Sequence, residues 1–185
     1  LEKYKVILAS NSPRRKELLS GLGICYEVKT LPGIEESYPD TLSGEEIPVF
    51  IACEKADAYR QTMHSDELII TADTIVWLDG LVMGKPEDEE DARRMLRCLS
   101  GKTHQVITGV CLTTTEFQKS FATVTDVTFA ELTEEEIDYY VQKYKPMDKA
   151  GSYGIQEWIG FVGVEGITGS YFNVMGLPIQ RLYKE

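Results

Sequence analysis

Short apolar runs alternate with amphipathic segments along this chain, a pattern typical of α/β proteins. Residues 6–9 predict a short buried strand, and residues 68–78 predict a longer one. Asp79-Gly80 favours a tight turn that leads the longer strand into a hairpin partner. The other strand-like runs are 81–83, 105–114 and 121–130. The pattern therefore predicts a mixed, twisted sheet flanked by helices.

Two helices are expected in the first third of the chain. Ser12-Pro13 predicts a helix start, because serine caps helix N-termini and proline fits the first helical position. A second helix is predicted over about 43–61, where Ser43 and Glu46 have the spacing of a capping box.

Two more helices are expected further along. The third is predicted to begin at Pro86, with acidic residues in its first turn, and to end at Gly101. The fourth begins at the capping box formed by Thr133 and Glu136. The glycine-rich last forty residues predict loops and short strands.

The charge balance limits the partners that the protein can have. The chain of 185 residues has room for one domain or two joined lobes, with 19 basic and 30 acidic side chains and a net charge of −11. This acidity argues against nucleic acid or an anionic membrane as the main partner. An anionic substrate would require locally gathered cations, helped by a divalent metal.

Apolar runs and cysteines indicate a cytoplasmic protein without a membrane segment. The longest apolar run, 49–53, is far below the roughly 20 residues of a membrane-spanning helix. Residues 6–9 are too short for the core of a signal peptide. The four cysteines have no C-x-x-C spacing, so reduced thiols are favoured over disulfides or a zinc site.

The first chemical signal is the turn at 10–15, which ends in Arg14 and Arg15. Arginines in the first turn of a helix are repelled by the positive end of its dipole. An anion bound there would attract both the arginines and the dipole, and so make the arrangement favourable. The turn is thus a candidate phosphate cradle. A solvent-screened pair of arginines explains the sequence equally well.

Asp73 is the second signal, because it lies within the apolar run 68–77. A carboxylate in such a strand must be paired, metal-bound or protonated. Thr74 and the nearby Lys85 add polar groups, which favours a functional site over an aspartate that faces solvent or pairs with a buried lysine.

Three weaker signals have ordinary explanations. Lys55 lies on the predicted inward face of the second helix, where it could reach past the edge of the core or face an anion. Lys85 lies between Gly84 and Pro86, which fix the start of its side chain, although turns often carry a lysine for solubility. Glu35-Glu36 could bind Mg²⁺ or be solvated.

In their order along the chain, these segments resemble the Maf nucleotide pyrophosphatases. The resemblance covers almost the whole chain, and the Tyr-Gly-Ile-Gln run most resembles the branch that acts on dTTP and UTP. The matching segments are 8–15, 33–36, 54–56, 72–74, 84–86, 149–156, 169–171 and 176–178.

The resemblance implies one domain over 1–185, with an elongated mixed sheet, two lobes and a central cleft, as in inosine triphosphate pyrophosphatases. It also implies a hydrolase dependent on Mg²⁺ or Mn²⁺, which cleaves a nucleoside triphosphate to the monophosphate and pyrophosphate. Whether the chain acts alone or as a homodimer stays open.

Roles for individual residues follow from the same resemblance. Asp73 is the expected general base and Glu36 a metal-site carboxylate, although Asp73 could also hold the metal. Arg15, Lys55 and Lys85 would hold the phosphates, with Ser10 offering a hydroxyl or an amide. The residues that would select the base are Arg14, Thr74 and Gln156, and the amide of Gln156 suits the imide edge of uracil or thymine.

Two departures from the family pattern affect these expectations. Glu157-Trp158 follows Gln156 where glycine is more frequent, which could change base preference, and Thr71 replaces a common glycine. Two alternative functions stay open: a pyrophosphatase for N7-methyl-GTP or another modified purine nucleotide, and a nucleotide-binding regulator of septum formation.

Overall fold

The computed structural model describes residues 3–34 and 36–185. The strands of this part are β1 (Lys5–Leu8), β2 (Tyr26–Val28), β3 (Glu67–Leu78), β4 (Leu81–Met83), β5 (Thr103–Thr113), β6 (Gln118–Phe129) and β7 (Val164–Thr168). The helices are α1 (Pro13–Ser20), α2 (Glu46–Arg60), α3 (Glu89–Leu99), α4 (Glu134–Tyr144), α5 (Trp158–Gly163), α6 (Tyr171–Met175) and α7 (Ile179–Lys184), with a 3₁₀ turn at Ala150–Ser152.

The strands form one mixed sheet in the order β2-β1-β3-β5-β6-β7, with β4 paired to β3. β1 runs parallel to both of its neighbours, so that Ile7 pairs with Glu27 on one side and Ile69 on the other. β4 and β7 pair antiparallel with β3 and β6. The predicted α/β class with a mixed sheet and flanking helices is confirmed.

The chain forms two compact units. The first comprises 1–74, 108–123 and 176–185, and the second comprises 75–107 and 124–175. In the first unit, Ile7, Tyr59 and Ile69 form one buried cluster, and Ala52, Ala56 and Cys111 form another. In the second unit, the largest fully buried side chains are Leu96, Leu99, Ile107, Phe129, Ile137, Tyr140 and Ile159.

Two predicted helix starts are wrong. α2 has no side-chain cap from Ser43, because Gly44 has a positive φ of 54° that interrupts the helix before Glu46. α3 begins at Glu89 rather than Pro86, since the Asp88 carboxylate accepts from the Asp91 N–H at 2.7 Å and caps the helix there. The capping box of α4 is confirmed.

Four short elements lie outside the predicted pattern: β2, α5, α6 and α7. β2 has three residues and little burial, and the glycine-rich end contains α5, α6 and α7 besides β7. Helices of five or six residues have too few positions to show a periodic apolar pattern. No helix in the described ranges combines the length and the apolar character needed to cross a membrane.

Gly109 allows α2 to lie directly against β5. A Cβ atom at this position would come within 2.4 Å of the Pro48 carbonyl carbon and the Val49 nitrogen. Both obstacles are backbone atoms, which side-chain rotation does not remove. The contact therefore fixes the position of α2 on the sheet.

We expect Gly109→Ala to lower the free energy of unfolding by about 3 kcal/mol, because the added methyl group overpacks this contact. Gly166→Ala is the matched control, since its Cβ meets nothing within 4 Å, and we expect a change below about 0.5 kcal/mol. Urea denaturation of the two variants measures both values. Equal stabilities would show that α2 can move away from β5 at little cost.

Candidate active site

The turn between β1 and α1 lies at the carboxyl end of β1, where parallel sheets commonly bind ligands. The Ser10 hydroxyl accepts from the Ser12 N–H at 3.1 Å, and the Ser12 hydroxyl accepts from the Arg15 N–H at 3.4 Å. Ser12 is therefore the N-cap of α1, as predicted. These bonds hold Ser10 beside the start of a helix whose N-terminus favours anions.

Asp73 lies on β3, three residues beyond Ile70, the residue that pairs with Leu8 at the end of β1. It is only 8% exposed. Its Oδ1 lies 3.6 Å from the Nζ of Lys55. The lysine and the aspartate singled out separately from the sequence thus form one buried ion pair.

Lys55 has two further partners. Its Nζ lies 3.2 Å from Oε1 of Glu36 and donates to the Ala72 carbonyl oxygen at 3.1 Å. An ammonium group has three N–H donors, and these three acceptors match them in number. Lys55 is consequently held between two carboxylates and the backbone of β3.

The charge state of Asp73 is determined by opposing effects. Burial raises the pKa of Asp73 above its ordinary value, and the neighbouring Glu36 carboxylate raises it further. The cations of Lys55 and Arg15 oppose this increase. The net result is a carboxyl group that binds a proton more readily than a solvated aspartate.

The Arg15 guanidinium joins three segments of the first unit. Its Nε donates to the Gly176 carbonyl oxygen at 2.8 Å, and its Nη2 donates to the Thr74 hydroxyl at 3.1 Å. Thr74 also shares a hydrogen bond of 2.9 Å with Thr108 on β5. Burial lowers the pKa of Arg15, while the Asp73 charge raises it and the adjacent half-buried Arg14 lowers it again.

Gly176 and Thr108 belong to this network but were not singled out as site residues. A threonine in a β-rich run is ordinary, so Thr108 has no sequence signal. Gly176 begins one of the segments that carry the family resemblance, but its contact uses the backbone carbonyl, which any residue type provides.

Glu36 and Asp73 are the described carboxylates that fit a divalent cation. Both lie near the Nζ of Lys55, and Glu36 raises the pKa of Asp73, so the two groups share one electrostatic environment. Within the described ranges, no three His, Cys, Asp or Glu side chains gather as a metal cage, and Glu35 lies outside those ranges. Mg²⁺ is commonly bound by one or two carboxylates together with substrate phosphates, and this pair fits that mode.

Lys85 belongs to the second unit, where its side chain is exposed. The preceding Gly84 carbonyl accepts from the Gly151 N–H at 3.1 Å. Gly151 has a φ of +69°, and a Cβ there would lie 2.5 Å from Cγ2 of Val76. The bond ties the Lys85 turn to the segment that leads to Gln156.

Gln156, also in the second unit, is exposed and lines an open cavity of about 430 Å³ together with Phe161 and Tyr171. Gly160 allows the chain to fold closely at the cavity wall, since a Cβ there would lie 1.8 Å from the Ile155 carbonyl oxygen. An amide beside aromatic rings is suited to binding a flat, polar ring.

Glu157, Trp158 and Thr71 each have structural partners. The Tyr140 hydroxyl donates to Oε1 of Glu157 at 2.7 Å, and Trp158 packs edge-on against Tyr139 with ring centroids 4.7 Å apart. The buried Thr71 hydroxyl donates to the Ala52 carbonyl oxygen of α2 at 2.8 Å. These contacts connect the three residues to α4 and α2.

Comparisons with known proteins give the family. The model of the Maf-like proteins matches residues 5–185, and the chain belongs to this family. It is 82% identical over 185 residues to a dTTP/UTP pyrophosphatase of Phocaeicola vulgatus, covering 100% of this chain and 96% of that protein. A dTTP/UTP pyrophosphatase of Bacteroides fragilis is 71% identical with the same coverage.

A solved structure, a HAM1 protein from Coxiella burnetii, has a TM-score of 0.52 and 15% identity, and the match covers 98% of this chain and 97% of that one. At this identity the likeness shows the fold alone. The fold of this chain is thus similar to that of a HAM1 protein.

We expect Asp73→Asn to raise the free energy of unfolding at pH 7 by about 1 kcal/mol, because it removes the burial cost of a charge. Since the pKa of Asp73 is raised in the folded state, its ionised form lowers stability as the pH rises through that pKa. The gain should therefore shrink as the pH falls towards 3.8 and below, where both folded and unfolded wild-type chains carry the proton. Urea denaturation at a series of pH values measures this difference.

The exposed Asp79→Asn is the matched control for that series, because Asn tolerates the left-handed backbone found there (φ 50°). We expect it to change stability by less than about 0.5 kcal/mol at every pH. An Asp73→Asn protein less stable than wild type at pH 7 would mean that attraction to Lys55 and Arg15 exceeds the burial cost.

Proposed function

We propose that this protein hydrolyses dTTP and UTP to the nucleoside monophosphate and pyrophosphate. The observation that carries the proposal is the buried Asp73 carboxylate, which lies beside the Lys55 ammonium at 3.6 Å and is electrostatically coupled to Arg15. A carboxylate and fixed cations are the groups that attack of water on a phosphorus atom requires. The names of the relatives at 71% and 82% identity support the choice of substrates.

In the proposed mechanism, Asp73 accepts the proton of the attacking water. A general base works best when its pKa lies near the working pH, and the raised pKa of Asp73 moves it in that direction. Lys55, held by Glu36 and the Ala72 carbonyl, keeps the carboxylate in place. Because these contacts are made by the protein's own groups, little reorganisation would be needed during the reaction.

Phosphate binding is assigned to the turn at the start of α1 and to the lysines. Ser10 and the N-terminus of α1 would receive phosphate oxygens, since helix N-termini favour anions. Arg15 would act mainly through its charge, because its Nε and Nη2 already donate to Gly176 and Thr74. Lys55 and Lys85 would add positive charge.

Glu36 and Asp73 would hold a divalent cation, Mg²⁺ or Mn²⁺, jointly with the phosphates of the substrate. When bound, such an ion neutralises phosphate charge and lowers the pKa of a water molecule. A carboxylate has two oxygens, so Asp73 can contact a cation with one oxygen and accept a proton with the other.

Base selection is assigned to Gln156. Its side-chain amide has an NH₂ group that donates and a carbonyl oxygen that accepts. These match the carbonyl oxygens and the N–H group on the imide edge that uracil and thymine share. Its exposure at the cavity lined by Phe161 and Tyr171 leaves the amide accessible to a ring. We place the protein in the cytoplasm, where reduced thiols and nucleotide substrates occur together.

A panel of nucleoside triphosphates assayed with Mg²⁺ tests the proposal. We expect dTTP and UTP to release pyrophosphate at the highest kcat/KM, with no matching release of orthophosphate. Asp73→Asn should bind dTTP but turn over about a thousandfold more slowly, because the proton acceptor is lost. Equal activity on ITP and dTTP, or unchanged turnover of the variant, would contradict the proposal.

We expect Gln156→Leu to lower kcat/KM for dTTP and UTP by about tenfold to a hundredfold, because the base loses its hydrogen-bonding partner. Stability should stay unchanged, since the side chain is exposed. Gln180→Leu, at another exposed glutamine, is the matched control and should keep wild-type kinetics. An unaltered preference for dTTP and UTP over other nucleotides in Gln156→Leu would remove this residue from base selection.

A further inference from the structure

Two cysteines of the first unit lie in contact although the proposed reaction uses neither. The Sγ of Cys53, on α2, lies 3.7 Å from the Sγ of Cys111, on β5. Cys111 is buried, whereas Cys53 is half-exposed, so Cys53 is the member of the pair that lies nearer to solvent. A disulfide requires an S–S distance of about 2.05 Å, so the two sulfurs would have to approach by about 1.7 Å.

The surroundings favour ionisation of the exposed sulfur. The hydrogen-bond contact with Cys111 lowers the pKa of Cys53 below its ordinary value, with burial opposing and a hydrogen bond with Ser120 lowering it further. The nearby Asp57 and Glu54 carboxylates oppose the shift as well. The pKa of Cys111 is raised by the same contact and by burial. The thiolate is the reactive form of cysteine, so Cys53, which is the more exposed of the two and has the lowered pKa, is the nucleophile and Cys111 the resolving thiol.

We propose that Cys53 and Cys111 form a redox-active dithiol that hydrogen peroxide converts to a disulfide. The Cys53 thiolate attacks one peroxide oxygen, the O–O bond breaks, and the departing hydroxide takes up a proton to become water. Cys111 then loses its proton and attacks the Cys53 sulfenic acid, the S–O bond breaks, and a second water leaves. Two thiols and one peroxide thus give one disulfide and two waters, and a dithiol reductant reverses the change.

Closing this bond would disturb the proposed catalytic centre, a consequence that rests on the proposed function. Cys53 lies two residues before Lys55 on α2, and the Nζ of Lys55 contacts Asp73. α2 has little freedom to adjust locally, because Gly109 lets its backbone touch β5 and Thr71 bonds to Ala52. If α2 moves by only part of the distance by which the two sulfurs must approach, the Lys55–Asp73 contact changes. Misplacement of a catalytic group by about 1 Å can lower the rate by two orders of magnitude.

The test treats the full-length protein with hydrogen peroxide and maps disulfides by mass spectrometry of its peptides. We expect a Cys53–Cys111 disulfide and a mass decrease of two hydrogens in the intact protein. Treatment with dithiothreitol should restore both thiols and the mass of the reduced protein. Pyrophosphate release from dTTP should fall about tenfold or more on oxidation and recover on reduction.

Three variants make the assignment specific. Cys53→Ser should form no linkage and keep its activity after peroxide, with basal activity unchanged. Cys111→Ala should likewise form no linkage. If this substitution of a buried residue impairs folding, Cys53→Ser alone tests whether the linkage requires this pair. The double variant Cys25→Ser/Cys98→Ser is the matched control, and it should respond as wild type does.

Peroxide-treated protein in which Cys53 and Cys111 stay unlinked, or in which Cys53 becomes overoxidised without crosslinking, would overturn the proposed dithiol. A Cys53–Cys111 bond that leaves pyrophosphate release unchanged would overturn its coupling to Lys55. If the reduced protein hydrolyses no nucleotide, the proposed function fails, while the peptide mapping still decides whether the dithiol closes.

Discussion

The burial of the Asp73 carboxylate within β3 is the constraint on which the candidate site depends. An isolated charge in such surroundings costs several kcal/mol, so cations must accompany it. Lys55 supplies one at 3.6 Å and Arg15 acts at longer range. Each cation is itself fixed by other groups: Lys55 by Glu36 and a β3 carbonyl, Arg15 by Gly176 and Thr74. The positive charge is therefore held by the protein's own groups, which is the arrangement that electrostatic catalysis requires.

This arrangement also bears on how an acidic protein could bind the proposed polyanionic substrate. The net charge of −11 gives long-range repulsion of nucleic acids and anionic surfaces. At short range, however, a buried pair feels fewer screening waters than surface charges do, so Lys55 and Arg15 act more strongly than their number suggests. A small triphosphate can approach such a cluster, and a divalent cation held by Glu36 and Asp73 would reduce the remaining repulsion.

The sequence predicted those features that have a local physical cause. Ser12-Pro13 and the Thr133/Glu136 box mark helix starts because caps act over three or four residues. Asp73 stands out because a carboxylate in an apolar strand is costly in any fold. The bond from Arg15 to Gly176 joins residues 161 positions apart, and no local pattern encodes such a partner. The predicted cap at Ser43 is wrong for a different, local reason: a capping box starts a helix only if the backbone that follows is helical, and Gly44 has a φ of 54°.

α2 unites the site and the thiol pair, because it carries both Lys55 and Cys53 on one rigid segment. The Thr71 hydroxyl bonds to the Ala52 carbonyl of α2 and, at 3.4 Å, to the Cys111 carbonyl of β5. One side chain of β3 thus holds the helix and the neighbouring strand together, two residues before Asp73. The same docking that fixes the ammonium against the carboxylate brings the two sulfurs into contact. The fixed position of Lys55 against Asp73 and the proposed response of the thiols to peroxide therefore both follow from the docking of α2 on the sheet.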